Sequence, residues 1–258
     1  MKIEALHIYP VKSVGGMPVR SAVITPSGSL RGDREWIVVA DDDQVRWQGD
    51  IPQLTLLSAK LDGEKLSVRN RAGETVNIDA DHAGRDRCVM QYGFDFPAVD
   101  AGDEMAEAIS DWTGHAVRLV RVGEAAHRWP KLNPVHVVSD KSHAALNDRL
   151  ADKGQPTVEI ERFRPNVILS VEHAWQEEEV STIDFGDARL VLTEPSVRCV
   201  LPNISRETAQ VAREPLYTIA TMSRERTSGR KASFGIYSRA EGVHLTVGER
   251  VVSMVCSH

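Results

Sequence analysis

The stretch "LTLLSAKLDGEKLSVRNRAGETVNIDA", residues 54–80, indicates the fold class of the chain. It alternates short β-prone runs with the turn sequences "DGE" at 62–64 and "AGE" at 72–74. Glycine and aspartate supply the unusual backbone angles that tight turns require. This stretch therefore predicts a β-meander.

The same pattern continues on both sides of the meander. "EWIVVA" and "VRWQ" flank the acidic turn 41–43, which is a hairpin signal. Many short β-branched runs with few helices predict a barrel or sandwich-like core. The later strand candidates are "AVRLVRV", "VHVVS", "FRPNVILSV", "ARLVLTE", "VRCVL" and "VHLTVGERVVSMV".

Two segments predict helices. "DEMAEAISDWTG", residues 103–114, has an acidic first turn, an apolar face and Gly114 as a stop. "SHAALNDRLADKG", residues 142–154, has Ser142 as a candidate N-cap. The predicted fold class is α+β and mainly β. A break in the pattern at 115–135 divides the chain into an N-terminal β-rich domain, 1–120, and a second domain, 121–258.

Composition and charge exclude several classes of protein. The 258 residues carry a formal net charge of -6, which argues against a nucleic-acid binder. No apolar stretch approaches the roughly 18 residues that a membrane span requires. The N-terminal "MKIEALHIYPVKS" lacks a signal-peptide core. We therefore expect a cytoplasmic protein with no nucleic-acid partner and no membrane span.

The cysteines and histidines show no metal-binding pattern. Cys88, Cys199 and Cys256 are dispersed and odd in number, which argues against disulfides and against an iron–sulfur cluster. The nine histidines show no zinc spacing. Any cofactor must be held mainly by something other than a cage of several side chains.

Cys199 stands directly after Arg198 in "EPSVRCVLPN". One interpretation is a small buried core residue, which is the commonest role of a free cysteine. The other is a ligand or nucleophile whose thiolate the arginine stabilises. Adjacent residues of a strand face opposite sides, so the second interpretation requires a bulge or a strand end here.

Three further segments carry cations on turns. Lys12 and Ser13 follow a strand-like run and precede two glycines, Arg31 and Arg34 bracket a Gly-Asp turn, and Arg164-Pro-Asn166 precedes an apolar strand. Lysine, arginine and amide groups of this kind bind phosphate or other planar acceptors. Solvated turn residues and surface ion pairs are the alternative interpretations of the same segments.

Taken together, "YPVKS", "RGDREW", "FRPN", "RC" and the late "FG.Y" at 234–237 resemble MOSC-domain proteins, in that order and over almost the whole chain. The similarity includes the N-terminal β-barrel region of the amidoxime-reducing branch. It implies a MOSC-type, pyruvate-kinase-barrel-like β-barrel with flanking helices. It also implies a molybdenum cofactor, molybdopterin with Mo, between the two regions.

The resemblance implies a role for each matching residue. Cys199 matches the thiolate ligand of molybdenum, and a soft thiolate suits such a centre. Tyr237 matches a tyrosine lining the site. The residues matching those that hold the pterin and its phosphate are Lys12, Ser13, Arg34, Arg164, Asn166 and Arg198.

The sequence departs from the family pattern near the expected pocket. Val197 replaces a small polar residue, Trp47 stands where an arginine is expected, and "WPKLN" with Lys131 replaces an acidic loop. The resemblance implies an oxidoreductase that reduces N-hydroxylated or related oxo-donor substrates. Its electrons would come from separate ferredoxin-like or cytochrome-like proteins and a reductase. A sulfur carrier using a Cys199 persulfide and a non-catalytic or degenerate cofactor-binding domain are the alternatives.

Overall fold

The computed structural model describes residues 1–91, 93–127, 133–227, 229 and 231–256. The fold is α+β and mainly β, as predicted. The strands are β1 Lys2–Ile8, β2 Met17–Val19, β3 Ser21–Val23, β4 Trp36–Val39, β5 Val45–Arg46, β6 Ser58–Asp62, β7 Lys65–Arg69, β8 Thr75–Asp79, β9 Asp86–Gln91, β10 Phe94–Asp100, β11 Arg118–Arg121, β12 Val135–Ser139, β13 Val167–Ser170, β14 Val180–Asp184, β15 Ala188–Val197, β16 Ser233–Gly242, β17 His244–Thr246 and β18 Ser253–Cys256. The helices are α1 Asp103–Thr113, α2 Asp140–Asp152 and α3 Leu216–Arg226.

The largest sheet has eight strands in the order β18-β14-β15-β16-β12-β13-β1-β2. All of its named pairs are antiparallel except β12–β13. Residues 248–252 link the two ends of this sheet. The Gly248 N–H donates to the Ile3 carbonyl, the Ile3 N–H donates to the Glu249 carbonyl, and the Val252 N–H donates to the Asp184 carbonyl. One continuous apolar core fills the concave side.

A second sheet of five strands, β5-β4-β11-β10-β9, forms a small barrel. Its two edge strands meet at a bridge between Gln44 and Met90, and the Met90 N–H donates to the Asp43 carbonyl. The predicted hairpin around the acidic turn is confirmed, since Val39 pairs with Val45 across it. This closure places the Asp43 turn and Met90 side by side.

The predicted meander is the three-stranded sheet β6-β7-β8. Its first residues differ from the prediction, because Pro52–Leu56 form a 3-10 helix and the strand begins only at Ser58. Proline at the start of this turn has a fixed φ that suits a helical turn and lacks a donor for a sheet. The inner faces of the meander pack against α1 and bury Leu66 and Val68.

Both predicted helices are present, with one correction. Helix α1 ends at Gly114, which adopts the left-handed conformation. The N-cap of α2 is Ser139 rather than Ser142, because the Ser139 hydroxyl accepts a hydrogen bond from the Ser142 N–H. Helix α3 was not predicted; it buries Ile219 and Met222 in a core shared with α2.

The first thirty residues pack with the second half of the chain. Strand β1 pairs with β13, and β3 pairs with β17. Ile3, Leu6 and Leu30 belong to the same core as the strands after Val135. The division into 1–120 and 121–258 stays a prediction, and the two regions are joined by this shared core.

Candidate functional site

Backbone pairing brings the first two cation-bearing turns together. Val11 and Trp36 form a parallel bridge, with the Lys12 N–H donating to the Trp36 carbonyl at 2.8 Å. The Arg34 N–H donates to the Tyr9 carbonyl at 2.7 Å. Segments separated by more than twenty residues therefore run side by side, and Lys12 and Arg34 reach one location.

The third segment joins them through Tyr9. Arg164 ends a short 3-10 helix, Ile160–Phe163, and its guanidinium donates to the Val14 carbonyl at 2.5 Å. The Tyr9 hydroxyl donates to the Pro165 carbonyl at 3.1 Å. The guanidinium carbons of Arg164 and Arg34 lie 4.3 and 5.2 Å from the Tyr9 ring centroid, within cation–π range. The Tyr9 ring thus contacts both guanidinium groups and holds the two turns together.

The fourth segment lies at an irregular strand end. "VRCVL" was predicted as a strand, but β15 ends at Val197 after register shifts near Pro195, and Arg198 and Cys199 lie beyond it. The Arg198 guanidinium donates to the Phe163 carbonyl at 3.0 Å and to the Ser196 hydroxyl at 2.7 Å. Cys199 is exposed. The buried-core interpretation of Cys199 is therefore wrong.

Backbone strain concentrates at these segments. Ser13, Arg34 and Arg164 have φ values of 70°, 56° and 54°. Few residues other than glycine adopt this conformation, and such residues cluster at functional sites where the surrounding structure holds them. Three of the predicted site residues share it, so their side chains are directed by strained turns rather than by regular strands.

One cleft of about 830 Å³ collects most of the predicted site. A cleft of this size accommodates a cofactor together with a small substrate. Arg31 does not line it, and Lys131 lies outside the described residues. The predicted residues that line it are Lys12, Ser13, Arg34, Arg164, Arg198, Cys199 and Tyr237.

Asn166 is fully buried behind the cleft rather than on its surface. Its side-chain oxygen accepts from Arg34 at 3.1 Å and from the His136 N–H at 3.2 Å. Its amide group donates to the His7 carbonyl at 3.2 Å. Asn166 satisfies the polar groups around the turn and fixes the direction of Arg34.

The cations of the cleft disfavour one another. Burial and the neighbouring charges of Arg34 and Arg164 lower the pKa of Lys12 to about 8. Burial first, and then Arg34, lowers the pKa of Arg164. A guanidinium stays protonated in proteins, so the repulsion between these charges lowers the stability of the folded protein. A bound anion would relieve it.

Sequence reasoning missed Tyr9, Asp33 and two histidines. Asp33 is 1% exposed; it pairs with Arg34 and accepts from the Tyr9 N–H at 2.8 Å, so the pair is not a surface pair. The His127 imidazole donates to the Asp33 carbonyl. Tyr9 and Asp33 lie inside the quoted motifs "YPVKS" and "RGDREW", which was the available signal.

His136 is a buried residue of the cleft lining, with Nδ1 3.1 Å from the Phe163 carbonyl and Nε2 3.1 Å from the Phe234 carbonyl. Burial, and then the charge of Arg198, lowers its pKa well below the ordinary value. Gly235 of the motif "FG.Y" packs directly against this ring. Gly235 has φ +73°, and a Cβ there would come within 2.6 Å of His136 Nε2 and 2.4 Å of the Val137 carbonyl.

Two departures from the family pattern, Val197 and Trp47, also line the cleft. Within the described ranges, no three histidine, cysteine, aspartate or glutamate side chains form a metal-binding group. Helices of the described part of the chain lack the length and apolarity needed to cross a membrane. The predicted localisation stays a prediction.

Comparison with known proteins agrees with the sequence motifs. Residues 1–116 match the MOSC N-terminal beta barrel domain. Mitochondrial amidoxime reducing component 2 of Rattus norvegicus is 27% identical, over 98% of this chain and 83% of its own. Mitochondrial amidoxime-reducing component 1 of Homo sapiens is 27% identical, over 91% and 77%. Molybdenum cofactor sulfurase of Oryza sativa subsp. japonica is 26% identical, over 93% of this chain but 33% of its own. Residues 124–252 match the MOSC domain, so the chain belongs to the MOSC-domain family.

Proposed function

We propose that the chain binds the molybdenum cofactor in this cleft and reduces N-hydroxylated or related oxo-donor compounds. The observation that carries the proposal is the convergence of Lys12, Arg34, Arg164 and Arg198 with the exposed thiol of Cys199 on one cleft. The names of the amidoxime-reducing relatives support the reaction class, and that of the sulfurase supports the cofactor.

The residues present fit such a cofactor. The cofactor carries a phosphate and soft sulfur ligands, and the cleft offers cations and a thiol. The buried Nε of Arg198 makes no hydrogen bond to any described residue. A buried donor without a partner costs about 1–3 kcal/mol, which a bound acceptor would offset.

Each residue has a distinct part in holding the cofactor. Lys12, Arg34 and Arg164 would hold the phosphate, and the Ser13 hydroxyl lines the same cleft as a further donor. The Cys199 Sγ would ligate the metal as a thiolate, because metal coordination removes the proton of a thiol. Arg198, tied to the Phe163 carbonyl, keeps a positive charge next to that sulfur. Tyr237 lines the same cleft, with its ring 5.7 Å from that of His136.

When bound, the molybdenum centre supplies two-electron oxygen-atom transfer, while the protein supplies binding, orientation and electrostatics. The exposure of Cys199 leaves the substrate a path to it from solvent. Electrons come from separate ferredoxin-like or cytochrome-like proteins and a reductase. A small-molecule substrate enters from the cleft mouth.

The test is metal content and activity in a matched set of cysteine variants. Protein from a host with an intact cofactor pathway should carry near-stoichiometric molybdenum and reduce an amidoxime with an artificial electron donor. Cys199→Ser should lose both. Cys88→Ser, which replaces another exposed cysteine, should lose neither. Molybdenum-loaded protein that reduces no N-hydroxylated compound contradicts the reaction, and well-folded protein without molybdenum contradicts the cofactor.

A sulfur carrier is the second candidate, because the exposed Cys199 can attack a sulfur donor as a thiolate. This function gives the cations of the cleft, Lys12, Arg34 and Arg164, no role. Mass spectrometry after incubation with a sulfur donor separates the two functions. A gain of one sulfur atom on Cys199, in protein that holds no molybdenum, favours the carrier.

A further inference from the structure

One wall of the cleft is apolar and belongs mainly to the small barrel. This apolar wall consists of Ile37, Val45, Trp47, Met90 and Val197, all of which line the cleft. The first four lie on or beside β4, β5 and β9, and Val197 ends β15. The wall is therefore assembled from two sheets that meet only in the folded chain.

Two members of the wall are exposed large apolar side chains. Met90 is 44% exposed and Val197 is 51% exposed. Large apolar side chains open to solvent in a concave site are typical of surfaces that bind an apolar ligand group. Cys199 lies two residues after Val197, so the wall adjoins the proposed reaction centre.

The position of Met90 is fixed by its backbone and its sulfur. Its N–H donates to the Asp43 carbonyl at 3.2 Å, and its sulfur accepts from the Gln44 amide at 3.6 Å. The closure of the small barrel thus holds the exposed side chain at the cleft. A thioether is polarizable and makes favourable contacts with aromatic rings.

The side chains of this wall carry no charge, although charged groups border it. Arg198 follows Val197 directly, and the Asp50 carboxylate accepts a hydrogen bond from the Trp47 N–H at 3.3 Å. Asp50, which also lines the cleft, interacts with Lys12. The remaining polar side chains near the wall include the uncharged amides of Gln44 and Gln91. The five apolar side chains of the wall can therefore contact an uncharged apolar group without removing a charged group from water.

We propose that the apolar wall is the specificity subsite of this chain and binds an uncharged aromatic substituent of the substrate between Met90, Trp47 and Val197. This inference rests on the proposed function, whose substrate class it narrows. The N-hydroxylated group is then directed towards Cys199, while the ring displaces water from Met90 and Val197. Apolar burial of this kind changes kcat/KM by about tenfold or more for one well-packed group.

The kinetic test compares two matched methionine variants of the molybdenum-loaded protein. Met90→Gln should lower kcat/KM for an aryl amidoxime about tenfold, through KM, and leave that for acetamidoxime unchanged. Met254→Gln replaces a methionine that is 48% exposed on β18 and does not line the cleft. It should change neither value. Equal losses on both substrates in Met90→Gln, or no loss on either, would overturn the inference.

A second measurement is independent of catalysis. In protein labelled at the methionine methyl groups, benzamide should shift the NMR signal of Met90 more than acetamide does, and should leave that of Met254 in place. Met90→Gln assigns the signal. If no N-hydroxylated compound is reduced, the proposed function fails, but the methyl shifts still show whether the apolar wall binds an aromatic group. If reduction occurs and the Met90 methyl does not respond, the wall fails alone.

Discussion

The guanidinium carbon of Arg164 lies 4.3 Å from the ring centroid of Tyr9, and the Tyr9 hydroxyl donates to the carbonyl of the next residue after Arg164. Arg34 approaches the same ring at 5.2 Å. Like charges are thereby held near one another by an aromatic ring, whose π-face attracts both. Burial raises the pKa of the Tyr9 phenol, so the ring is neutral at physiological pH.

Substitution of Tyr9 should separate its two contributions. Tyr9→Phe removes only the hydroxyl and should cost about 1 kcal/mol in the free energy of unfolding. Tyr9→Leu also removes the ring and should cost about 3 kcal/mol, with weaker binding of sulfate. Urea unfolding and calorimetry measure the two effects. Sulfate affinity in Tyr9→Leu equal to that in Tyr9→Phe would contradict the role of the ring.

Anion affinity should depend on pH through Lys12. Burial, Arg34 and Arg164 lower its pKa to about 8, so the ammonium loses its proton above that pH. Affinity for sulfate, which does not titrate here, should fall by up to about tenfold between pH 8 and pH 9. Binding in that range should take up a proton, because the anion raises the pKa of Lys12 again.

Calorimetry in buffers of different ionisation enthalpy measures this proton uptake. Lys12→Met should remove both the uptake and the pH dependence. Lys60→Met, at a side chain that is 64% exposed, is the control and should behave as wild type. The stability effect has the opposite sign: the folded pKa lies below the unfolded value, so stability should rise as pH rises from about 8 towards 10.5.

Acid should destabilise the protein through His136. Its folded pKa lies well below 6.5 because of burial and Arg198, so below pH 6.5 the unfolded chain binds a proton that the folded protein does not. The free energy of unfolding should fall by up to about 1.4 kcal/mol per pH unit in that range. Glu177, whose pKa burial raises, acts with the opposite sign above pH 4.5, because there the folded protein holds the proton more tightly than the unfolded chain.

The comparison is therefore made between variants. His136→Gln should flatten the slope below pH 6.5, and His82→Gln, at an exposed histidine, should leave it unchanged. Chemical unfolding at a series of pH values gives both slopes. An unchanged slope in His136→Gln would show that this ring does not carry the acid sensitivity.

Gly235 should tolerate no side chain. An alanine Cβ would lie 2.4 Å from the Val137 carbonyl and 2.6 Å from His136 Nε2, at φ +73°. Gly235→Ala should cost about 3 kcal/mol or more, from backbone strain and overpacking together. Gly63→Ala shares a positive φ but meets nothing within 4 Å, and should cost about 1 kcal/mol. Similar midpoints of urea unfolding for the two variants would refute the role of the close approach.

Local patterns sufficed where neighbours in sequence form the structure. The hairpin at the acidic turn, the meander after Ser58 and α1 with its glycine stop were all predictable, since their turns and caps depend on adjacent residues. Helix α3 was not, because its weakly amphipathic sequence becomes helical only where the core of α2 and Phe234 covers one face. The 3-10 turn at 52–56 replaced a predicted β run for the local reason that proline imposes.

The sequence by itself determined a mainly β fold of the MOSC family and nominated the residues of the site by their order along the chain. The tertiary structure decided what those residues do. Tyr9 and Pro165 are 156 residues apart, and Arg34 and Asn166 are 132 apart. Contacts of this separation depend on the pairing of β1 with β13 and on the closure of two sheets, which no local pattern specifies. For the same reason the contacts of Tyr9 with two arginines, the burial of Asn166 and the apolar wall emerged only from the folded chain.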